Sequence, residues 1–321
     1  MINSSGFFNY MSADSQSSLY RNGKVKTIRD TGGSDGSSIG INYEKHEMIV
    51  KDARDLTNKE SIILDKHGFE LLPSKIDNLE IDFFDNKEVI NIYYTHCAEL
   101  IKDITKASDV FAFDHNIRSA TGKKSKRMIV GGQQVQGPAH TVHGDYTLTS
   151  APERLRQLSM PPRKNDTLRT ILGKNKSLIP IDMVDHALLN GRYAIINLWR
   201  NIVEDPVEVN PLALCDANTV LPSDLVVFEI HYADRVGENY FAKYNTNHDW
   251  YFYSRMTRNE VLLIKQWDSK GGLALTNGKS SDFELSDDPC TFSFHSAFED
   301  PSTRENAPDR WSMEVRCVVI Y

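Results

Sequence analysis

The sequence predicts an α+β fold with a sheet sandwich or barrel core. Helical periodicity is concentrated between residues 86 and 190. A run of short strand patterns, rich in aromatic and β-branched residues, comes after Gly191. No internal repeat and no clean linker separates the two halves.

Residues 1–40 are rich in Ser, Gly and Asn, and SADSQSS and GGSDGSS read as an extended, loosely ordered arm. Residues 41–84 mix short strands with turns. Asn86 to Ala107 carries Val89, Ile92, Leu100, Ile101 and Ile104 near helical spacing, with Asp85 or Asn86 as cap. DVFAFDHNIRS (109–119) alternates like a strand, residues 120–140 form a loop, and AHTVHGDYTLTS reads as a strand again. APERLRQL, NDTLRTILG and DMVDHALLNG are helical stretches. RYAIINLWRNI, DLVVFEIHYA, NYFAKYN, DWYFYSRM, EVLLIKQWD, CTFSFHSAF and WSMEVRCVVIY are the late strands.

Composition narrows the function. The 321 residues carry 37 Lys+Arg against 44 Asp+Glu, a net charge of −7, which argues against a nucleic-acid binder. No apolar run reaches the roughly 18 residues of a membrane span, and the first residues lack the basic flank and apolar core of a signal peptide. Cys97, Cys215, Cys290 and Cys317 form no CxxC pair, so buried thiols in a reducing cytoplasm are expected.

His143-Gly144-Asp145 sets an imidazole and a carboxylate two residues apart, which on a strand projects both from one face. His140, three residues earlier, falls on the opposite face. Ten histidines and 44 acids supply about one such pair by chance, so the pair gains weight only from partners elsewhere in the chain. His295 ends a later strand, and Arg310-Trp311-Ser312 is the only RxS in the chain. Two His and one carboxylate make the facial triad of non-haem iron(II) oxygenases, leaving positions for 2-oxoglutarate and dioxygen. The far carboxylate of 2-oxoglutarate calls for a planar bidentate cation, which Arg supplies better than Lys, and a serine two residues on points the same way. A zinc hydrolase is the alternative for the same ligand set.

Longer blocks carry a resemblance. LDKHGFELLPS (64–74), FDHNIRS (113–119), VHGDYT (142–147), RYAIINLWRNI (192–202), PLALCD (211–216), NHDWYFYSRMTRNEVLLIKQWDS (247–269) and HSAFEDP (295–301) resemble the fungal and bacterial non-haem iron oxygenases of secondary metabolism, the family that includes the cephamycin 7-methoxylation subunit and the gibberellin desaturase. The resemblance runs from about Lys26 to Tyr321. It implies a double-stranded β-helix (jelly-roll or cupin-like) core with flanking helices, formed by residues 41–321 as one oxygenase domain behind the arm of residues 1–40. It implies Fe(II) on His143, Asp145 and His295, and 2-oxoglutarate on Arg310 and Ser312, with dioxygen as co-substrate. Family members usually carry an acid where Trp311 stands, on the face turned away from Arg310.

The expected reaction is hydroxylation, desaturation or oxidative cyclisation of a small biosynthetic metabolite or amino-acid-derived compound. A non-catalytic partner subunit retaining the fold is the remaining alternative. The expected partners are a small molecule, without nucleic acid or membrane, and the oligomeric state is left open, a homodimer being one option. Arg118, Asn197, Trp199 and Arg200 lie in the best-matching blocks and are candidates for the substrate or co-substrate pocket; alternation sets Asn197 and Trp199 on one face, Leu198 and Arg200 on the other. A structural hydrogen bond or ion pair is the plainer role for such residues. KKSKR (123–127) reads as a solvated loop close enough to the metal strand to act as a lid.

Overall fold

A computed structural model describes residues 3–29, 35–56, 61–76, 79–164, 166–173, 175–232 and 235–321. Parts of the expected arm (residues 1–2 and 30–34), of the strand-and-turn stretch (57–60 and 77–78), of one helical stretch (165) and of one late strand (233) lie outside the described residues.

Fifteen strands are described: β1 (Asn3–Met11), β2 (Lys26–Arg29), β3 (Asp35–Ile39), β4 (Tyr43–Asp52), β5 (Phe69–Pro73), β6 (Asp109–Arg118), β7 (His143–Gly144), β8 (Tyr193–Asn201), β9 (Leu212–Cys215), β10 (Leu225–His231), β11 (Val236–Ala242), β12 (Trp250–Phe252), β13 (Glu260–Asp268), β14 (His295–Ala297) and β15 (Ser312–Ile320). They form a ten-stranded sheet, ordered β1-β4-β12-β9-β14-β7-β11-β10-β2-β3, and a five-stranded sheet, ordered β5-β13-β8-β15-β6. The fold is mixed α+β and rich in sheet, as the pattern predicts. No helix among the described residues is long and apolar enough to cross a membrane.

One apolar cluster joins Phe8, Val50, Ala213 and Trp250 of the larger sheet, Ile196, Leu198 and Val315 of the smaller, and Val89, Tyr93 and Ile101 of the helical segment. Each Val, Leu, Ile or Phe among them contributes about 1.5–3 kcal/mol when fully buried. All nine residues of β8 are buried, so both faces of the smaller sheet are covered there. That explains the near-continuous apolar run in YAIINLWRN, which carries little alternation.

Several segments differ from the sequence expectation. The amino-terminal stretch is extended but ordered: β1 pairs antiparallel with β4 from Asn3↔Lys51 to Met11↔Tyr43. Phe8, Tyr10 and Met11 are buried while Phe7 is 45% exposed, an alternation that the Ser and Gly content of the stretch obscures. The long helix starts on Asp85, whose carboxylate accepts from the N–H groups of Lys87 and Glu88. It then passes through a π-helical turn, Val89–Tyr93, before the α-helix Tyr94–Thr105. The extra residue of that turn rotates the buried face to Ile90, Tyr93, Tyr94, Cys97 and Ile101, leaving Ile92 and Ile104 36% and 38% exposed. AHTVHGDYTLTS contributes only the two residues of β7, and CTFSFHSAF only β14. NDTLRTILG forms a short 3-10 turn, Thr167–Thr170, in which Leu168 alone is buried; one apolar anchor does not sustain a longer helix. The helices Ser150–Leu158 and Ile181–Leu189 match their patterns.

Candidate metal centre

The site is set by a pairing in the larger sheet. β14 lies between β9 and β7, and its His295 sits directly opposite His143. The two imidazole centroids are 4.3 Å apart. Asp145 follows the end of β7, so its carboxylate turns back toward both rings. One ligand atom from each of His143, Asp145 and His295 lies within 4.8 Å of the others, with Asp145 Oδ1 3.8 Å from His143 Nε2 and 4.0 Å from His295 Nε2. Gly144 permits this: a Cβ there would lie 3.0 Å from the Phe292 ring, so a larger residue would push the strand away from it.

Two of the three ligands, His143 and Asp145, are oriented from behind. His143 Nδ1 lies 2.7 Å from the Thr141 carbonyl and therefore carries the proton, which leaves the Nε2 lone pair facing the cluster. Asp145 Oδ2 accepts from Asn197 Nδ2 at 2.9 Å and from Arg316 Nε at 3.4 Å, so Oδ1 is the oxygen turned to the histidines. The Asp145 backbone N–H donates to Gln266 Oε1 at 3.1 Å. Arg316 is in turn held by Asp114 and Glu314, each at 3.0 Å.

Electrostatics favour the ligating forms. Burial, reinforced by His295, pushes the His143 imidazolium down to about 4, and burial also lowers His295, so both rings are neutral at pH 7. Burial opposes ionisation of Asp145, but Arg316, then the two imidazoles and Asn197, outweigh it and hold the carboxyl below its ordinary range. A carboxylate and two neutral imidazoles suit a divalent cation.

An opening of about 350 Å³ reaches these three side chains, and its walls include Arg118, Trp199, Arg310 and Glu314. Arg310 stands just before β15, its guanidinium 5.7 Å from the Trp199 ring centroid. One of its terminal nitrogens donates to the Asn210 carbonyl, while Nε has no partner. Ser312 Oγ is likewise without a partner. Both residues are at most 2% exposed, so these donors are held ready with no solvent to satisfy them. Burial, reinforced by Arg118, brings the Arg310 guanidinium down to about 9, and an anion beside it would relieve that cost. Trp311 turns the other way: it packs edge-on against Phe84, and Arg127 lies 5.1 Å from its ring. Arg127 thus lies against both rings, although it is exposed like Lys123, Lys124 and Lys126 of the same run.

The structure therefore brings together His143, Asp145, His295, Arg118, Trp199 and Arg310 in one cavity, with Ser312 buried two residues beyond Arg310. His140 stays outside the cluster. Asn197 reaches the site through Asp145 rather than through the cavity wall. Arg200 does not reach it. It leaves β8 on the opposite face, where Nε donates to Tyr93 Oη at 2.6 Å and its terminal nitrogens bond Ser74 and the Arg258 carbonyl. Sequence reasoning misses Glu314, Arg316 and Gln266. The signal is present for two of them: Ser312, Glu314 and Arg316 recur at spacing two in an otherwise apolar strand, which puts them on one face.

Comparison with known proteins gives the same picture. The family model described as oxidoreductase/YMDC permease-like domain matches residues 8–320. A protein encoded in the dcmA 3′ region of Methylophilus leisingeri is 39% identical over 195 residues, 60% of this chain and 88% of its own length. The hydroxylase/desaturase efuI of Hormonema carpetanum is 29% identical, with 88% of this chain and 86% of efuI covered. The Fe(II)/2-oxoglutarate-dependent dioxygenase nvfI of Aspergillus novofumigatus is also 29% identical, with the same coverage. A solved structure of the iron and alpha-ketoglutarate-dependent endoperoxidase NvfI superposes with a TM-score of 0.70 at 24% identity, over 99% of this chain and 98% of that one, which shows a shared fold.

Proposed function

This chain belongs to the oxidoreductase/YMDC permease-like domain family, alongside fungal Fe(II)/2-oxoglutarate-dependent dioxygenases, and from that membership we propose how its own residues perform the reaction. The protein is an Fe(II)/2-oxoglutarate-dependent dioxygenase. The observation that carries the reading is the convergence of three ligand atoms within 4.8 Å, beside two buried donors that lack partners. The zinc hydrolase and the non-catalytic subunit are set aside because the named relatives are iron oxygenases and hydroxylases.

His143, Asp145 and His295 would hold Fe(II), and the residues present fit it: neutral imidazoles, an ionised carboxylate and a second carboxylate oxygen already engaged. Arg310 and Ser312 would take the far carboxylate of 2-oxoglutarate; their unpartnered Nε and Oγ fit an anionic acceptor. When bound, the two groups supply dioxygen activation coupled to oxidation of 2-oxoglutarate to succinate and carbon dioxide. The chain positions the reactants. Asn197 and Arg316 keep Asp145 ionised and turned, Gln266 fixes its backbone, and Trp199 with the Arg310 guanidinium closes one wall against water.

The substrate is a small metabolite, and hydroxylation, desaturation or cyclisation is decided by which of its hydrogens faces the centre. The two sheets, with ligands at adjoining strand ends, support a double-stranded β-helix as the core of a 41–321 oxygenase domain, the first 40 residues adding edge strands. Four buried, unbridged cysteines support a cytoplasmic setting. The test is succinate release from 2-oxoglutarate by purified, iron-loaded protein screened against a metabolite panel. His143→Ala and Asp145→Ala are expected to abolish turnover, and turnover that survives both substitutions would overturn the ligand assignment.

A further inference from the structure

The cavity at the metal centre has a neighbour. A second opening, of about 280 Å³, lies along the same edge strand, β6, and its walls include Asn86, Asn116, Gln133, Gln134, Gln136 and Thr167. Five of its side chains are carboxamides, and none of its described lining residues is Asp, Glu, Lys or Arg. His115 also lines it, and burial brings that imidazole down to about 4, so the opening is polar and uncharged at pH 7, unlike the catalytic cavity with its two arginines and its glutamate.

Among the described residues the two openings have no lining residue in common, but they adjoin along β6. Asn116 and Arg118 stand two apart on β6 and point from the same face. Asn116 pairs in register with Glu314, which lines the catalytic cavity. The segment after residue 129 covers both: Gln136 borders the second opening and Ala139 the first, while Arg118 donates to the Gly137 carbonyl at 2.8 Å between them.

Asn116 is only 9% exposed, and its Oδ1 has no hydrogen-bond partner. A buried amide oxygen can only accept, so whatever satisfies it must donate. We propose that this amide-lined opening is a second arm of the substrate pocket, in which Asn116 Oδ1 accepts from an uncharged hydroxyl or amide N–H of the substrate. Resting on the oxygenase reading above, this narrows the substrate class to neutral metabolites bearing a hydrogen-bond donor away from the oxidised carbon. A charged group is disfavoured because the arm offers no counter-charge, and a purely hydrocarbon extension would leave Asn116 unsatisfied.

The probe is a matched pair, hexane-1,6-diol and its dimethyl ether, which lacks the donors. Saturation-transfer NMR on the full chain measures both, and the visible band of the anaerobic iron and 2-oxoglutarate complex is recorded separately. The diol is expected to bind about fivefold more tightly than the ether, the preference one neutral hydrogen bond confers. Asn116→Leu is expected to remove that preference while the visible band remains. Gln134→Leu, on the covering segment and away from β6, is expected to reduce it, and this variant decides the matter should Asn116→Leu fail to fold. Equal binding of diol and ether by the unsubstituted chain overturns the proposal, as does a preference unchanged in the folded variants; the opening is then a water site. Absence of the visible band in the unsubstituted chain would instead overturn the oxygenase reading, and the NMR comparison still decides whether Asn116 selects donors.

Discussion

At the scale of single residues, the ligand set is ordinary and its support is specific. Asp145 has one oxygen free for a metal because Asn197 and Arg316 occupy the other. Asn197→Leu is expected to weaken iron binding by about 10–100-fold, the usual cost of losing such a partner, in an anaerobic iron titration. Arg310→Lys leaves the three ligands untouched but replaces a planar fork by a point charge. It is expected to raise the KM for 2-oxoglutarate at least about tenfold with iron affinity unchanged, a split that separates the two groups of residues. Equal loss of both in either variant would contradict the division of roles. The clustering of His143, Asp145 and His295 was legible in the sequence, and so was the pairing of Arg310 with Ser312: the pairs 143/145 and 310/312 are local spacing-two patterns, and His295 came in through its place between them and the family resemblance. Arg316 and Gln266 act on Asp145 from 171 and 121 residues away, and only the folded chain brings them together. Arg200 misled for the opposite reason: on a strand buried on both faces, a buried arginine is as readily structural as functional, and alternation alone does not tell which face holds the site.

At the scale of elements, β15 links the proposed carboxylate site at Arg310 and Ser312 to Asp145 of the ligand cluster. Ser312, Glu314 and Arg316 share one of its faces, while Trp311 anchors the preceding turn against the segment 120–135. Gly122 is where that anchor is tightest: a Cβ there would lie 2.6 Å from the Trp311 ring and 2.8 Å from Val135. Gly122→Val is expected to displace Trp311, lower stability by about 1–3 kcal/mol in denaturant titration, and weaken 2-oxoglutarate binding through Arg310 and Ser312. A stability loss without an effect on 2-oxoglutarate would show that Trp311 is packing alone. β8, β13 and β15 and the long helix were legible because their patterns extend for nine residues or more. β7 and β14 were overextended because two or three paired residues leave no periodic signature, and flanking aromatic residues such as Phe292 and Phe294 are buried without belonging to a strand. β1 was hidden by composition: Ser, Gly and Asn outweighed the inward pair Phe8 and Tyr10.

At the scale of the molecule, buried histidines couple stability to pH. Burial brings both His115 and His143 down to about 4, against an ordinary value of 6.5. The unfolded chain therefore binds more protons than the folded one between those values, and stability rises with pH across that window. Metal-free protein is expected to lose stability as pH falls from 6.5 toward 4, by up to about 1.4 kcal/mol per unit for each of the two groups, and to change little on their account above 6.5. Thermal melts across that range check the sign; stability rising on acidification would contradict it. The negative net charge of the whole chain has a related consequence for the proposed carboxylate site: Arg310 would have to draw 2-oxoglutarate in locally, against an unfavourable overall field.

The central claim is that His143, Asp145 and His295 carry iron beside an Arg310 and Ser312 carboxylate site. Its most direct measurement is anaerobic visible absorption as 2-oxoglutarate is added to the Fe(II)-loaded chain. A weak charge-transfer band that saturates with one equivalent of 2-oxoglutarate, is lost in Asp145→Ala and needs more 2-oxoglutarate in Arg310→Lys is the predicted result. A chain that binds Fe(II) but gives no band, or an Asp145→Ala variant that keeps it, would contradict the account.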